Sequence, residues 1–582
     1  MTDFLFASPA PAPGALRTVL EAYLGAVATV TELRGNWGAL AVATPWPGRD
    51  AVIERDGWIT VLAGEPVVRA PGMAPGVVAP GPLRDSVHQL LSADPKPDWG
   101  ARLDGQFAAI GIDTRTGGGM IVTDRMSFIP VFAATDELGA RVMGTHADAV
   151  ATASGRTEVD PVSAADLLTT RCIAFPHTLF HGVTQMPPGT ARRFGPGTAV
   201  NSVADKDETY WQPVERTAFA NVREASEALR EALLAEVAIA CAGLEHVGLL
   251  LSAGEDSRAV LGAVPAGVRV SAFIYADADN REVQVARMAA NAYGATLTWG
   301  RRPREHYLGA METVSAMVGS HQVWVDVHGY GFHTSLGLAS LPRVLGGYSS
   351  DSLLKAEHAR KTAIRLRPVA GIRPELLEQV RIRHQAHVDR VTAIRPGSGG
   401  EWYRLWPFSM RSTGANVHGN RRLFHIYEPF HSAAVLDIAA GVPQGWKRDR
   451  GLFHPAIRPL LRRSWNVPHA RSRFPYFGRT ANLLLGAGLR ATRAINGLRS
   501  GGKGMNQGPW PRWSEPEYAA PMADLEARHN LPRSALGGVL AVEGDAAQAT
   551  VRAWDPMERF IAMQLAYLSE RAADVAREAR AP

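Results

Sequence analysis

Cysteine is almost missing from this chain. Only Cys172 and Cys241 occur among 582 residues. That excludes a disulfide framework and any metal centre built on several cysteines. Lysine is scarce too. Six of the 62 basic residues are lysines, at positions 96, 206, 355, 361, 447 and 503, and the other 56 are arginines. A GC-rich coding bias accounts for that balance. No uninterrupted apolar run reaches the ~20 residues that a bilayer span needs. No basic-then-apolar segment opens the chain as a secretory signal would. The expectation is a cytoplasmic protein with no membrane partner. A concentrated basic stripe with interleaved aromatics, the footprint of nucleic-acid binding, is also lacking. The nearest approach, Arg365 to Arg395 with Arg381, Arg383 and Arg390, has the spacing of a solvated helical face. No nucleic-acid partner is expected, and the net charge of +6 is mild for this length. There is no internal repeat. Gly501-Gly502-Lys503-Gly504 imitates a nucleotide loop, but no Ser or Thr follows the lysine and no strand precedes it, so it reads as a flexible loop.

The chain is long enough for two to four domains with real cores, and its composition is that of a globular protein. Up to about residue 205 it is rich in glycine, proline and short β-type runs: Trp37 to Ala43, Gly57 to Ala63, Gln106 to Ile112 and Met120 to Thr123. Asp205 to Trp211 reads as a linker. The period then changes. Ala225 to Ala242 has the pattern of an amphipathic helix leading into an apolar strand, Val247 to Leu251. A second strand is expected at Val268 to Tyr275 and a helix at Arg281 to Tyr293. Val344 and Leu345 approach a Gly-Gly turn. Strands alternating with helices predict a parallel, doubly wound sheet. From about residue 355 onward the chain reads as mostly helical, interrupted by Gly/Pro/Ser-rich stretches at 395–400 and 500–511.

The most telling stretch lies where the first of these strands ends. Leu249 to Leu251 breaks into Ser252-Ala253-Gly254-Glu255-Asp256-Ser257, and a helix starts by Arg258. Backbone N–H groups at such a strand-to-helix turn can cradle a phosphate, helped by the helix dipole. The hydroxyls of Ser252 and Ser257 can reach the same anion. Asp256 would repel a phosphate unless a cation sat between them, which points to Mg²⁺. The plainer reading is an ordinary tight turn in an α/β sheet.

Several blocks, in order, resemble the asparagine synthetase family of ATP-pyrophosphatase amide ligases. Leu103-Asp104-Gly105-Gln106-Phe107-Ala108, Thr123-Asp124-Arg125-Met126 and Ile129-Pro130-Val131-Phe132 are similar to the signature of that family's N-terminal glutaminase layer. Thr178 to Val183 and Met186-Pro187-Pro188-Gly189 resemble the block that closes the layer. Glu208-Thr209-Tyr210-Trp211 resembles the linker after it. Ser252 to Ser257 resembles the family's SGGxDS pyrophosphate loop, and Asn280-Arg281-Glu282 the helix after the second strand. Gly346-Gly347-Tyr348-Ser349-Ser350-Asp351 resembles its second signature, SGEGSDE. Tyr427-Glu428-Pro429-Phe430-His431 and Leu436-Asp437-Ile438-Ala439 resemble a REPFLD-type block.

The resemblance implies three regions: residues 1–205, a degenerate αββα glutaminase-like (Ntn-type) layer; 218–465, an ATP-pyrophosphatase domain on a doubly wound parallel sheet; and 466–582, a mainly helical extension. It implies ATP and Mg²⁺ as cofactors and a small-molecule or peptide substrate. Either a homodimer or a biosynthetic partner protein is compatible with it. A substrate carboxylate would be adenylated and an amine would then attack, giving an amide and AMP. By resemblance, Asp256 and Asp351 hold Mg²⁺ on the pyrophosphate. Ser252, Gly254 and Ser257 bind phosphates, and Ala253, Glu255 and Gly346 belong with them to the ATP- and pyrophosphate-binding set. Leu251, Ile274 and Gly347 line the adenosine site, Tyr348 manages a proton, and Arg450 or Lys447 meets the developing charge.

Four departures qualify that picture. Family glutaminases expose an N-terminal cysteine, whereas this chain begins Met1-Thr2-Asp3. Thr2 could serve as a nucleophile in principle, but the glutamine-binding block is unrecognisable, so loss of glutaminase activity is expected. That places the chain near β-lactam synthetases and lasso-peptide cyclases, which keep intramolecular closure open as an alternative. Tyr348 stands where asparagine synthetases carry glutamate. β-Lactam-forming relatives also have a tyrosine there, partnered by a glutamate. The phenol could be a base or could simply pack the turn. The family's lysine falls at Arg450, with Lys447 one turn earlier, and arginine changes protonation state less readily. Ala253 replaces a loop glycine, which is tolerable only if that residue avoids positive φ. Together the altered loop and the missing cysteine keep a catalytically inactive scaffold or binding protein in view.

Overall fold

In the computed structural model of the chain, the residues described are 1–45, 51–69, 83–93, 97–136, 139–196, 205–357, 364–470, 473–478, 481–483, 485, 518–534 and 536–580. Gly501 to Gly504 and the stretch 500–511 lie outside them.

The N-terminal part is built on two six-stranded antiparallel sheets. In the first, Asp3–Ser8 runs between Gly38–Thr44 and Arg141–Gly144. The second carries Trp58–Gly64, Phe107–Asp113, Gly119–Thr123 and Thr190–Phe194 side by side. Alternation fixes the layers, because successive side chains on a strand face opposite ways. Ile59, Val61, Ile110, Ile112 and Ile121 join Phe4 and Phe6 in the core between the sheets. Leu62, Phe107, Ala109, Met120 and Val122 point the other way, onto Val87, Leu90 and Leu91 of the helix Leu83–Ser92. Helix Ala15–Leu24 covers the outer face of the first sheet. The order is helix, sheet, sheet, helix. The four expected runs are strands to within one residue at each end.

Two expectations need correction here. Asp205 to Trp211 is not a bare linker. Lys206–Thr209 is an edge strand paired with Thr190–Phe194, and the backbone N–H groups of Tyr210 and Trp211 both donate to Gly189 O, at 2.9 and 3.2 Å. Gly189 adopts φ +59, and a Cβ there would lie 2.5 Å from Trp211 O. Only glycine admits this approach. The arginine-rich stretch is the helix Pro374–Ile394, but its arginines are not simply solvated. Arg383 pairs with Asp160, and Arg390 lies over the Phe175 ring at 5.2 Å.

Downstream of this layer the sheet is parallel. Helix α1 (Val222–Cys241) starts at Asn221, whose side chain accepts from the N–H groups of Arg223 and Glu224. Strand β1 (His246–Leu250), helix α2 (Asp256–Ala263), strand β2 (Arg269–Ala276) and helix α3 (Arg281–Tyr293) follow where the periodicity placed them. Three strands complete the sheet: β3 (Thr296–Arg301), β4 (Val344–Leu345) and β5 (Ile426–Tyr427). All four pairings are parallel, in the order β3-β2-β1-β4-β5. The chain builds outward from β1 to β3, then returns on the other side at β4. Ligands of open parallel sheets bind at such a reversal, beyond the carboxyl ends of the strands.

The described part of the C-terminal stretch is mainly helical, with turns at 473–478 and a bridge from Leu540 to Ile372. Helix Pro556–Arg580 packs against Ala15–Leu24 and Ala147–Ala153, and Phe560, Ile561, Leu565 and Leu568 enter the core of the N-terminal layer. Among the described residues no helix is long and apolar enough to cross a membrane.

Candidate functional site

The turn that leaves β1 is held by its own side chains. Ser252 N–H donates to Ser257 Oγ at 3.1 Å, the two serine hydroxyls are 3.2 Å apart, and Gly254 N–H donates to Ser252 Oγ at 3.1 Å. The N–H of Ala253 is taken by Glu282 of α3 at 2.9 Å, which ties the turn to the next βα unit. Ala253 is not among the residues with positive φ, so its methyl group costs no backbone strain. Helix α2 begins at Asp256, and Glu255 before it makes no side-chain cap. The first N–H groups of a helix have no partner within it and favour an anion.

A second turn, leaving β4, closes on the first. A Cβ at Gly347 would lie 2.7 Å from Ser257 N, and one at Gly346 would lie 2.1 Å from a Glu428 oxygen. Both glycines are therefore set by close approach. Glu428 is buried and accepts from Tyr348 N–H at 2.9 Å. Burial pushes its carboxyl up to about 8, against the pull of that bond. Ser349 follows with φ +72, unusual for a residue with a side chain. The Tyr348 hydroxyl donates to Thr413, and the Arg411 guanidinium lies 4.6 Å from the ring centre. Among the described residues no carboxylate bonds the phenol, and the neighbouring glutamate takes the backbone instead. Burial raises the phenol's pKa, which works against a phenolate base. Leu251 and Ile274 lie buried in the core near the carboxyl ends of β1 and β2, and Leu251 N–H donates to Phe273 O at 2.9 Å.

Asp256 and Asp351 do converge, but on an ammonium. Lys355 Nζ lies 2.5 Å from Asp256, 2.6 Å from Asp351 and 3.0 Å from Glu255. Its side chain is 8% exposed, and Nζ sits 4.4 Å from the Phe453 ring centre. Glu255 also meets Arg450 at 3.0 Å and Arg473 at 2.8 Å. Burial would lower the Lys355 pKa, yet Asp256 and Glu255 outweigh it and raise it. Arg450 is presented by two successive left-handed residues, Asp449 at φ 50 and Arg450 at φ 66. A local conformation held that tightly, in residues that disfavour it, aims the guanidinium at the turn.

Of the two cations expected to meet developing charge, only Arg450 reaches this place. Lys447 is a correction. It is fully buried, 3.6 Å from Glu401 and 5.3 Å from the Trp402 ring centre. Burial draws its pKa down although Glu401 faces it. A resident metal does not fit the arrangement either, because Lys355 already lies between the two aspartates. Among the described residues no group of three or more His, Cys, Asp or Glu side chains is placed to hold a metal ion.

The start of the chain is sealed. The Met1 ammonium donates to Arg421 O, and Thr2 is 5% exposed. Asp3 is clasped by Arg421 at 2.6 Å and Arg422 at 2.8 Å. Burial would raise its carboxyl, but the two guanidinia hold it well below the usual range. The N-terminal layer nevertheless reaches the second turn. His431 stacks on Phe128, with ring centres 3.8 Å apart, and its Nδ1 meets Gln106 Nε2. An amide nitrogen can only donate, so Nδ1 accepts and the ring proton sits on Nε2, which meets Ser349 Oγ at 2.8 Å.

The family described as glutamine amidotransferase domain matches residues 96–211. This span covers the blocks at 103–132 and 178–189 and ends at Trp211. No curated protein matches the chain.

Sequence reasoning missed Lys355, Arg473, Arg411, Glu428 and His431 as site residues. Lys355 carried a signal: it is one of six lysines and lies four residues after Asp351, the spacing that puts two side chains on one helical face. Arg473 comes from a distant segment and carried none.

Proposed function

We propose that this chain is an ATP-dependent, AMP-forming amide-bond ligase of the asparagine synthetase type, working without glutamine hydrolysis. One observation carries the reading: the Ser252–Ser257 turn lies at the reversal point of the parallel sheet and is ringed by Lys355, Arg450 and Arg473. A serine-lined helix start with cations around it suits a polyphosphate. A carboxylate is inert to amines because oxide is a poor leaving group. Attack of the carboxylate oxygen on the α-phosphorus forms an acyl–adenylate bond and breaks the bond to pyrophosphate. Amine nitrogen then attacks the acyl carbon, AMP leaves, and the nitrogen loses a proton. In the first step Ser252, Ser257 and the N-terminus of α2 hold the departing pyrophosphate. Arg450 and Arg473 stabilise its charge, which grows in the transition state. The carboxylate belongs to a small molecule or a peptide. Intramolecular closure to a lactam uses the same steps.

Titration calorimetry with ATP tests the first requirement, and product analysis by mass spectrometry with candidate carboxylates and amines tests the rest. AMP and an amide are expected; ADP as the nucleotide product would contradict the reading. A second reading, a non-catalytic scaffold, is favoured by the closure of Lys355 over both aspartates. Failure to bind ATP would support it. Absence of glutaminase chemistry is the remaining part of the reading, and Thr2, its candidate nucleophile, is 5% exposed. Release of glutamate from glutamine that disappears in Thr2→Ala would overturn that part.

A further inference from the structure

We propose that Lys355 is the countercation of the phosphate turn, so that polyphosphate binds there without a divalent ion. The inference rests on the ligase reading of the same turn. An aspartate pair beside a phosphate cradle repels the ligand until a positive charge lies between them. Here the chain supplies that charge itself. Lys355 Nζ is within 2.6 Å of both Asp256 and Asp351 and 3.0 Å from Glu255. Arg450 and Arg473 bond the same Glu255. These three carboxylates thus face three cations, which offsets their repulsion of an anion.

The lysine is well seated for this task. It is spaced four residues from Asp351, so it projects over the same helical face. Its stem is enclosed, and its head lies against the Phe453 ring. A lysine head is a compact point charge with three donors, which suits bridging several carboxylates at once. A divalent ion bound by the same two aspartates would have to enter beside this ammonium or expel it from an enclosed position. Asp351 is itself 57% exposed, so the mixed-charge face borders solvent, and an arriving phosphate can draw on Lys355 without unfolding anything. When a polyphosphate binds, the ammonium can swing one of its three N–H bonds from carboxylate to phosphate oxygen, and the aspartates keep the others.

Titration calorimetry on the full chain tests this with ATP and with inorganic pyrophosphate, each in EDTA and in excess Mg²⁺. Affinity in EDTA is expected within about threefold of that in Mg²⁺, well under the tenfold that 1.4 kcal/mol represents. Lys355→Met should weaken binding in EDTA by about tenfold or more, the scale of one lost hydrogen bond to a charged group. Mg²⁺ should restore it, because the vacated aspartates can then take a metal. Lys355→Arg keeps the charge and should keep EDTA-insensitive binding, which guards against a misfolded Met variant. Wild-type binding that needs Mg²⁺ overturns the inference and leaves the ligase reading standing. No binding of either ligand under any condition overturns both.

Discussion

Two regions of this molecule hold acidic groups in place, and they do so by opposite means. In the N-terminal layer Asp124 is fully enclosed, and its carboxyl group accepts from the backbone N–H groups of Phe107, Met126, Phe128 and Ile129. Every one of those donors is main chain, fixed by the turn it closes. Burial still raises the group to about 7. At the carboxyl edge of the parallel sheet, Asp256 and Asp351 are instead held by a side-chain ammonium at the border of solvent. Backbone donors cannot leave without unfolding the turn, whereas a lysine head can trade partners. The first arrangement spends its charge on the fold. The second keeps its charge available to a ligand.

Four measurements press on that contrast. The largest effect is expected at the exchangeable site. Arg450→Ala removes a partly exposed guanidinium, so the fold should persist while substrate-dependent ATP–pyrophosphate exchange falls about 10²–10³-fold, on the order of 3–4 kcal/mol of transition-state stabilisation. A melted protein with normal exchange per folded molecule would erase the distinction. Asp124→Ala should do the reverse. Leaving four buried N–H groups without an acceptor costs about 3 kcal/mol in urea unfolding, with exchange per folded molecule unchanged.

Glu428 offers a graded test between the two regions. Its folded pKa of about 8 lies above the ordinary 4.5, so between those values the folded state holds a proton that the unfolded chain has released. Stability from this group is therefore complete below the ordinary value and declines as pH rises toward 8, at up to ~1.4 kcal/mol per pH unit. Glu428→Gln should flatten that part of the stability–pH curve; an unchanged slope would mean that the carboxyl is not held neutral. The smallest effect is expected for Tyr348→Phe. With its hydroxyl bonded to Thr413, the loss should be about 1 kcal/mol of stability, and adenylation and amide formation should both survive. A fall of about 10²-fold or more in amide formation alone would restore the proton-transfer role.

Much of this was legible in advance, for physical reasons. The four β-type runs in the N-terminal part, and β1, α2, β2 and α3, announce themselves through period and turn residues. The two turns that meet at the switch point also stood out, because glycines and hydroxyls cluster there. What stayed hidden depends on long-range contact. Strands β4 and β5 are two residues each, too short for any period. Lys447 and Arg450 lie three residues apart with no local cue to which faces the turn; the left-handed pair at Asp449 and Arg450 decides it. Tyr348's partner could not be read either, since Thr413 arrives from a separate loop.

The bridge from Gln106 through His431 to Ser349 has a practical consequence for anyone dividing the chain. It is reinforced by Asp104, which accepts from Ala433 N–H, and by Arg125 and Trp211, which both bond Asp437 at 2.8 and 2.7 Å. The strained Ser349 is thus splinted from outside its own sheet. A fragment starting at Val222 would carry Ser252, Ser257, Lys355, Arg450 and Arg473 and yet lose the splint, so its second turn would be free to relax. The upstream layer is thereby a mould for the second turn, a task independent of any reaction of its own.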